Sequence, residues 1–284
     1  MSPSPHPPRP GGGPFTERTP RVAAARALLR RAGREQAGRF LVEGARAVAE
    51  ALGAGAVVEL FATERAAARH PELVAMAASR FSLVTERAAA GLSGTTTPQG
   101  LVAVCRALPV PVARAVRDAR LVAVLAGVSD PGNAGTVIRV ADAAGATAVL
   151  VTGDAVDPHN GKCVRASVGS VFHLPLAVER DPMPVAAACR GAGLQLLAAD
   201  GATGRDLDEV ADVGLLDVPT AWLFGSEAHG LPAQLLATAD AVVAVPLHGR
   251  AESLNLATAA AVCLYASARA HRSRSAATHP GPIT

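Results

Sequence analysis

Short apolar runs alternate along this chain with longer segments whose apolar residues recur at helical spacing, and the alternation predicts its elements. The first part, residues 21–107, predicts a basic helix over 21–31, a strand over 39–42, a helix over 43–52 and a strand over 57–63. A helix over 70–78 and strands over 81–85 and 101–105 follow. These elements make a small α/β sandwich of about 85 residues, long enough to close a core of its own.

From residue 121 the alternation becomes regular. Strands are predicted over 121–127, 148–152, 173–178, 194–199, 221–224 and 241–247, with helices over 134–144, 162–171, 184–192 and 232–238. A last helix is predicted to start at Ser253, a favourable N-cap, with Leu254, Leu256, Ala260, Cys263 and Leu264 forming its apolar face. Strands separated by helices imply a mostly parallel sheet covered on both faces. The expected fold class is therefore α/β, with a parallel-sheet domain over 121–270 and a smaller α/β domain over 18–107. The Pro-containing stretch 108–120 reads as a linker, and residues 1–17 and 271–284 as disordered tails.

Ligands of such sheets bind beyond the carboxyl ends of the strands. Three polar blocks fall there: Ser129-Asp130-Pro131-Gly132-Asn133-Ala134-Gly135 running on to Arg139, Leu223-Phe224-Gly225-Ser226-Glu227, and Val245 through Leu256. A polar loop before a helix collects unpaired N–H groups and suits a ligand carrying oxygens or negative charge. Each block by itself also fits an ordinary βα turn. No G-x-G-x-x-G follows the first strand of this domain and no Walker glycine spacing precedes Lys162, so a nucleoside ligand must be held in another way.

In this order and spacing, with Ser253-Leu254-Asn255 in the third, the blocks resemble the three signature motifs of the SpoU-type (TrmH) RNA ribose 2′-O-methyltransferases of the SPOUT superfamily. The resemblance covers roughly residues 20–268. Upstream, FLVEGARAVAEAL and SGTTTPQGLVAVC resemble the ribosomal-protein-like substrate-binding domain that precedes many such catalytic domains. The resemblance implies a SPOUT domain with a C-terminal trefoil knot, S-adenosyl-L-methionine as cofactor, an RNA substrate (rRNA ahead of tRNA) and a homodimer. It implies cofactor contacts at Gly225, Val245 and Leu254, and catalytic polar positions at Asn133, Arg139, Glu227, Ser253 and Asn255.

The residue types make chemical sense in those roles. Glycine lets backbone approach a ligand, and Val and Leu can flank an adenine. Arginine stays protonated, so Arg139 suits gripping an RNA phosphate or a developing oxyanion better than abstracting a proton; pairing with Asp142 is the plain alternative. Glu227 and Asn255 would orient the nucleotide and the loops, while Ser253 would hydrogen bond nearby or simply cap the helix. Lys162 and Arg165, in a segment resembling the family's K-x-x-R-A-S, are candidates either for RNA phosphates or for structural salt bridges. Arg21 and Arg30 on the first basic helix are further RNA candidates.

Charge sharpens the picture. The net charge of +3 divides into +6 over residues 1–40, +3 over 269–284 and −6 between them, as expected of basic arms that meet a polyanion or of solvated tails. Cys105, Cys163, Cys189 and Cys263 show neither C-x-x-C nor zinc spacing, and read as small buried hydrophobes in a reducing compartment. His229 and His248 have no partner spacing for a metal, so none is expected. With one Trp, one Tyr and six Phe, stacking of bases on aromatics is not expected to dominate recognition. No apolar run is long enough to cross a bilayer and no signal segment is evident, which points to a cytoplasmic protein without membrane partners. The rival readings are a non-catalytic RNA-binding protein that kept the fold and an α/β enzyme for a small nucleotide, which would need no basic N-terminal arm.

Overall fold

The computed structural model describes residues 13–201 and 204–278, and divides the chain into a unit ending at Ala107 and a unit starting at Leu108. The first unit contains α1 (Pro20–Ala27), α2 (Arg31–Ala37), β1 (Arg39–Glu43), α3 (Ala45–Gly53), β2 (Val57–Ala62), α4 (Glu64–Arg69), α5 (Pro71–Ala77), β3 (Phe81–Leu83), α6 (Glu86–Ala90) and β4 (Leu101–Arg106). Its sheet runs β1-β4-β2-β3, with β4 antiparallel to both neighbours and β3 parallel to β2.

The single basic helix expected over 21–31 is two helices. Arg34, 6% exposed, donates from Nη1 to the carbonyls of Leu28 and Leu29 at 3.0 and 3.1 Å and so satisfies the end of α1. A Cβ on Gly33 would lie 2.1 Å from the Ala27 carbonyl oxygen, so only glycine permits this close turn. Helices α4 and α6, not foreseen, each begin behind a threonine whose Oγ1 accepts an amide N–H three residues on, Ala66 and Ala88, at 3.2 Å. Part of the expected N-terminal tail is ordered into this unit: Phe15 donates its N–H to Leu83 and accepts from Thr85. The remainder of that tail, residues 1–12, lies outside the described residues.

The second unit contains α7 (Val112–Ala115), β5 (Leu121–Ala126), α8 (Pro131–Ala144), β6 (Ala148–Thr152), α9 (Gly161–Ser167), β7 (Leu176–Glu179), α10 (Pro182–Gly191), β8 (Gln195–Ala199), β9 (Arg205–Asp206), α11 (Leu207–Asp212), β10 (Thr220–Phe224), α12 (Ala233–Leu236), β11 (Ala241–Ala244) and α13 (Leu256–Thr278). The sheet order is β7-β6-β5-β10-β8-β11-β9 and every neighbouring pair is parallel. Both faces are covered, which is why β5 and β10 read as uninterrupted apolar runs and are buried at every residue.

Several boundaries differ from expectation. The stretch 108–120 carries α7, and its Ala115, Val116 and Ala119 are buried in the core of the second unit. Strand β11 stops at Ala244, and Leu247 beyond it is 38% exposed. Helix α13 begins at Leu256, because the side chain of Asn255, not Ser253, accepts the amides of Ala257 and Thr258 at 2.9 and 3.4 Å. It then runs through Thr278, into the segment expected to be a tail from 271; His271 is 8% exposed and its Nε2 lies 2.9 Å from the Val218 carbonyl oxygen. Residues 279–284 of that expected tail lie outside the described residues. Ser267 on the inner face of α13 accepts the indole N–H of buried Trp222 at 2.9 Å, tying helix to sheet. All four cysteines are free and buried, and desolvation pushes each thiol up to about 12.

Candidate functional site

Because the sheet is parallel, the loops after β5, β10 and β11 open on one edge. β5 and β10 are adjacent, with Phe224 beside Leu125 in register, so the first two polar blocks start side by side. The first block turns straight into α8. Asp130 caps that helix, its Oδ1 accepting the Asn133 N–H at 2.8 Å, and Pro131 occupies the first turn where an N–H would be unpaired anyway.

The second block is a tight loop in which Ser226 and Gly230 exchange backbone hydrogen bonds of 3.1 and 2.9 Å. A Cβ on Gly225 would lie 2.2 Å from the Gly230 carbonyl carbon and 2.4 Å from the Leu231 nitrogen, so this loop closes only over glycine. Replacing Gly225 by Ala is expected to cost about 1–3 kcal/mol of overpacking in the closed loop, and so to weaken S-adenosylmethionine by one to two orders of magnitude in calorimetry.

The three blocks are joined through side chains. Asn255 Oδ1 is committed to the helix amides, so its Nδ2 faces outward and donates to Asn133 Oδ1 at 3.1 Å. That in turn commits Asn133 Nδ2, which donates to Glu227 Oε1. Both amide orientations are thus dictated by the cap of α13. Residues 122 and 94 apart in sequence form one directed chain ending on a carboxylate, whose second oxygen, Oε2, accepts nothing within it. All of this lies at an exposed rim, reachable by a large substrate.

Arg139 is on the same helix as Asn133, exposed, and without an ion pair or hydrogen bond to any described residue. The anticipated alternative partner, Asp142, is instead 2.7 Å from His173 Nδ1. Ser253 is exposed and does not cap α13. Val245 is half-buried and Leu254 is 36% exposed, so both present apolar surface at the loop in which they stand. A glycine-closed loop and outward-facing aliphatic side chains beside a polar chain fit the adenosyl and charged parts of S-adenosylmethionine.

The residues expected to touch RNA divide. Lys162 Nζ is 2.8 Å from Asp130 Oδ2, and that contact, with the Asn133 amide, holds the Asp130 carboxyl below its ordinary range. Gly132 makes room for it, since a Cβ there would lie 2.8 Å from Asp130 Oδ1 and 3.3 Å from Lys162 Cε. Asp130, which caps α8 and holds Lys162, is thus the residue of this rim that pattern reading passed over, although Asp followed by Pro before a helix is a capping signal. Gly135 lets α8 and α9 approach, with its would-be Cβ 2.3 Å from the Cys163 carbonyl oxygen, which brings Lys162 and half-buried Arg165 to the side of α8. In the first unit, Arg30 is exposed, but Arg21 is spent on the fold: Nη2 and Nε reach the two oxygens of Glu59 at 2.7 and 3.2 Å, and the guanidinium sits 5.4 Å above the Phe15 ring. No three His, Cys, Asp or Glu among the described residues are grouped to hold a metal, and no described helix is long and apolar enough to cross a membrane.

A parallel α/β sheet whose polar turns converge beyond its carboxyl edge is the framework of an enzyme that binds a nucleoside-bearing cofactor there. The chain belongs to the SpoU rRNA Methylase family, whose model matches residues 120–265; an MRM3-like substrate binding domain matches residues 19–103. It is 35% identical to the 23S rRNA (guanosine(2553)-2′-O)-methyltransferase of Bacillus subtilis over 80% of this chain and 87% of that protein. An AdoMet-bound rRNA methyltransferase from Sinorhizobium meliloti has a TM-score of 0.78 at 31% identity, covering 88% of this chain and 95% of that one. The SpoU methyltransferase AviRb from Streptomyces viridochromogenes, also in complex with AdoMet, has a TM-score of 0.79 at 31% identity, covering 90% and 100%.

Proposed function

We propose that this enzyme transfers a methyl group from S-adenosylmethionine to a ribose 2′-hydroxyl of structured RNA, with 23S rRNA as its substrate. The observation that carries the reading is the side-chain path Asn255–Asn133–Glu227, which links all three signature blocks at one rim. Gly225, Val245 and Leu254 would hold the cofactor, which when bound supplies an electrophilic methyl group. Glu227, its Oε1 fixed by Asn133, is oriented to accept a hydrogen bond from the sugar hydroxyl through Oε2. Arg139 offers a free guanidinium to the neighbouring phosphate and to the oxygen as its proton passes along that hydrogen bond to Glu227 Oε2. Ser253 stands one loop position from the cofactor residue Leu254, open to a substrate hydrogen bond.

A homodimer and a cytoplasmic setting belong to the same proposal, as does the C-terminal knot, for which the insertion of β10 between β5 and β8 is the supporting feature. For the dimer the support is α13: Val262 and Tyr265, 38% and 47% exposed, share its outer face, and no charged residue occurs from Leu256 to Ala268. Tyr265→Glu is expected to halve the mass measured by light scattering while leaving the melting temperature of the chain close to wild type; an unchanged dimer mass contradicts this face. The function is tested by mapping alkali-resistant ribose sites in 23S rRNA from cells with and without the gene. Loss of one resistant site is expected, and an identical map, or a site lost only from tRNA, overturns the substrate assignment.

A further inference from the structure

The register of the first unit's sheet sets two arginines side by side. In the antiparallel ladder of β1 and β4, Arg39 is paired with Arg106. The Ala107 N–H donates to the Gly38 carbonyl at 2.9 Å, which makes the next pair inward, Arg39 with Arg106, the non-hydrogen-bonded kind in which side chains stand closest. Strand alternation puts both on the face that carries Leu41 and Val104, so they leave the sheet in the same direction. Both are exposed.

Like charges directly opposite one another destabilise a sheet. Several arginines of this unit are matched to acids, among them Arg21 with Glu59, Arg31 with Glu35 and Arg87 with Glu17. Arg39 and Arg106 have no acidic partner among the described residues. Arg106 is steadied instead by Nη2 donating to the Gly55 carbonyl at 2.8 Å, which leaves the rest of its fork open. Directly opposite residues of such a pair have Cβ atoms about 4.5–5.5 Å apart, so two exposed arginine side chains starting there can both reach one phosphate group.

We propose that Arg39 and Arg106 form a clamp for a phosphodiester of the RNA backbone, a contact that positions the substrate without reading its sequence. The clamp rests on the RNA-methyltransferase reading above. It is a site that composition alone does not reveal, because the two residues are 67 positions apart and meet only through strand register.

The test is fluorescence anisotropy of the full chain with a short mixed-sequence RNA duplex over a salt series. The Arg39→Ala, Arg106→Ala double variant is expected to bind about tenfold more weakly at 0.1 M salt, with a log–log salt slope smaller by about 1 to 2. Arg39→Lys keeps the charge and should keep the slope. Arg69→Ala, which removes an exposed charge from α4, should leave the slope at wild type. Melting of Arg39→Ala should be unchanged or higher, since it relieves repulsion; should Arg106→Ala lower it through the lost Gly55 contact, Arg39→Ala and Arg39→Lys decide the matter. Unchanged affinity and slope in the double variant, with wild type binding RNA, overturn the clamp alone, as does an equal loss in Arg69→Ala. A wild-type chain that binds no RNA overturns both the clamp and the proposed function.

Discussion

Substituting Arg139 by Ala is expected to lower the single-turnover rate of methyl transfer by roughly two to three orders of magnitude, the cost of losing one fixed donor to a developing oxyanion. Melting temperature and S-adenosylmethionine affinity should not move. The reason for that separation is structural: Arg139 is exposed on α8 and bonds to no other described residue, so its removal leaves no buried partner stranded. Arg139→Lys keeps a positive charge but loses the fork, and should recover only part of the rate. If RNA phosphate is what Arg139 grips, the KM for RNA rises together with the fall in kcat. Near-normal turnover by Arg139→Ala would remove this residue from the mechanism.

The second large effect is expected at Asn133, because it is the one side chain that touches both others. Asn133→Ala frees Asn255 Nδ2 and Glu227 Oε1 at once, and should reduce turnover about a hundredfold through lost positioning. Asn133→Asp should do more harm, since it replaces the donor facing Glu227 with a second negative charge. A double-mutant cycle gives the sharper reading. If the path acts as a unit, Asn133→Ala combined with Glu227→Ala costs little more than either alone, and the coupling is 0.5–3 kcal/mol in order of magnitude. Additive losses would mean that these residues touch without cooperating. The Asp130–Lys162 contact should hold its part of this arrangement down to acid pH: the carboxyl lies below its ordinary 3.8, so its contribution is complete above that value and disappears only as pH falls through the lowered one.

Much of this was readable before any coordinates. The alternating apolar runs located all six long strands of the second unit, since a strand covered on both faces has no polar positions to confuse the pattern. The three polar blocks were legible as turns at strand ends, and parallel pairing brings them to a common edge. What escaped was whatever depends on partners distant in sequence. Arg34 breaks the first basic helix by turning back on Leu28, a contact that helical spacing does not encode. Arg21 reads as a free charge until Glu59, 38 residues away, is beside it. Ser253 and Asn255 are both good caps in sequence, so the pattern starts α13 two residues early, and only the bond to Asn133 gives Asn255 its second task. The helix also outlasts its apolar run, as His271 finds the Val218 carbonyl near the sheet.

The central claim is that three turns, joined through Asn133, set a methyl donor against a sugar oxygen. It is tested most directly by incubating the purified chain with methyl-labelled S-adenosylmethionine and unmodified 23S rRNA, then digesting the RNA with alkali. Label recovered in a single alkali-resistant dinucleotide, and accumulating about a hundredfold more slowly when Asn133→Ala is used, is the expected result. Label released with mononucleotides, which places the methyl group on a base, or no transfer by a chain that binds both cofactor and RNA, would contradict it.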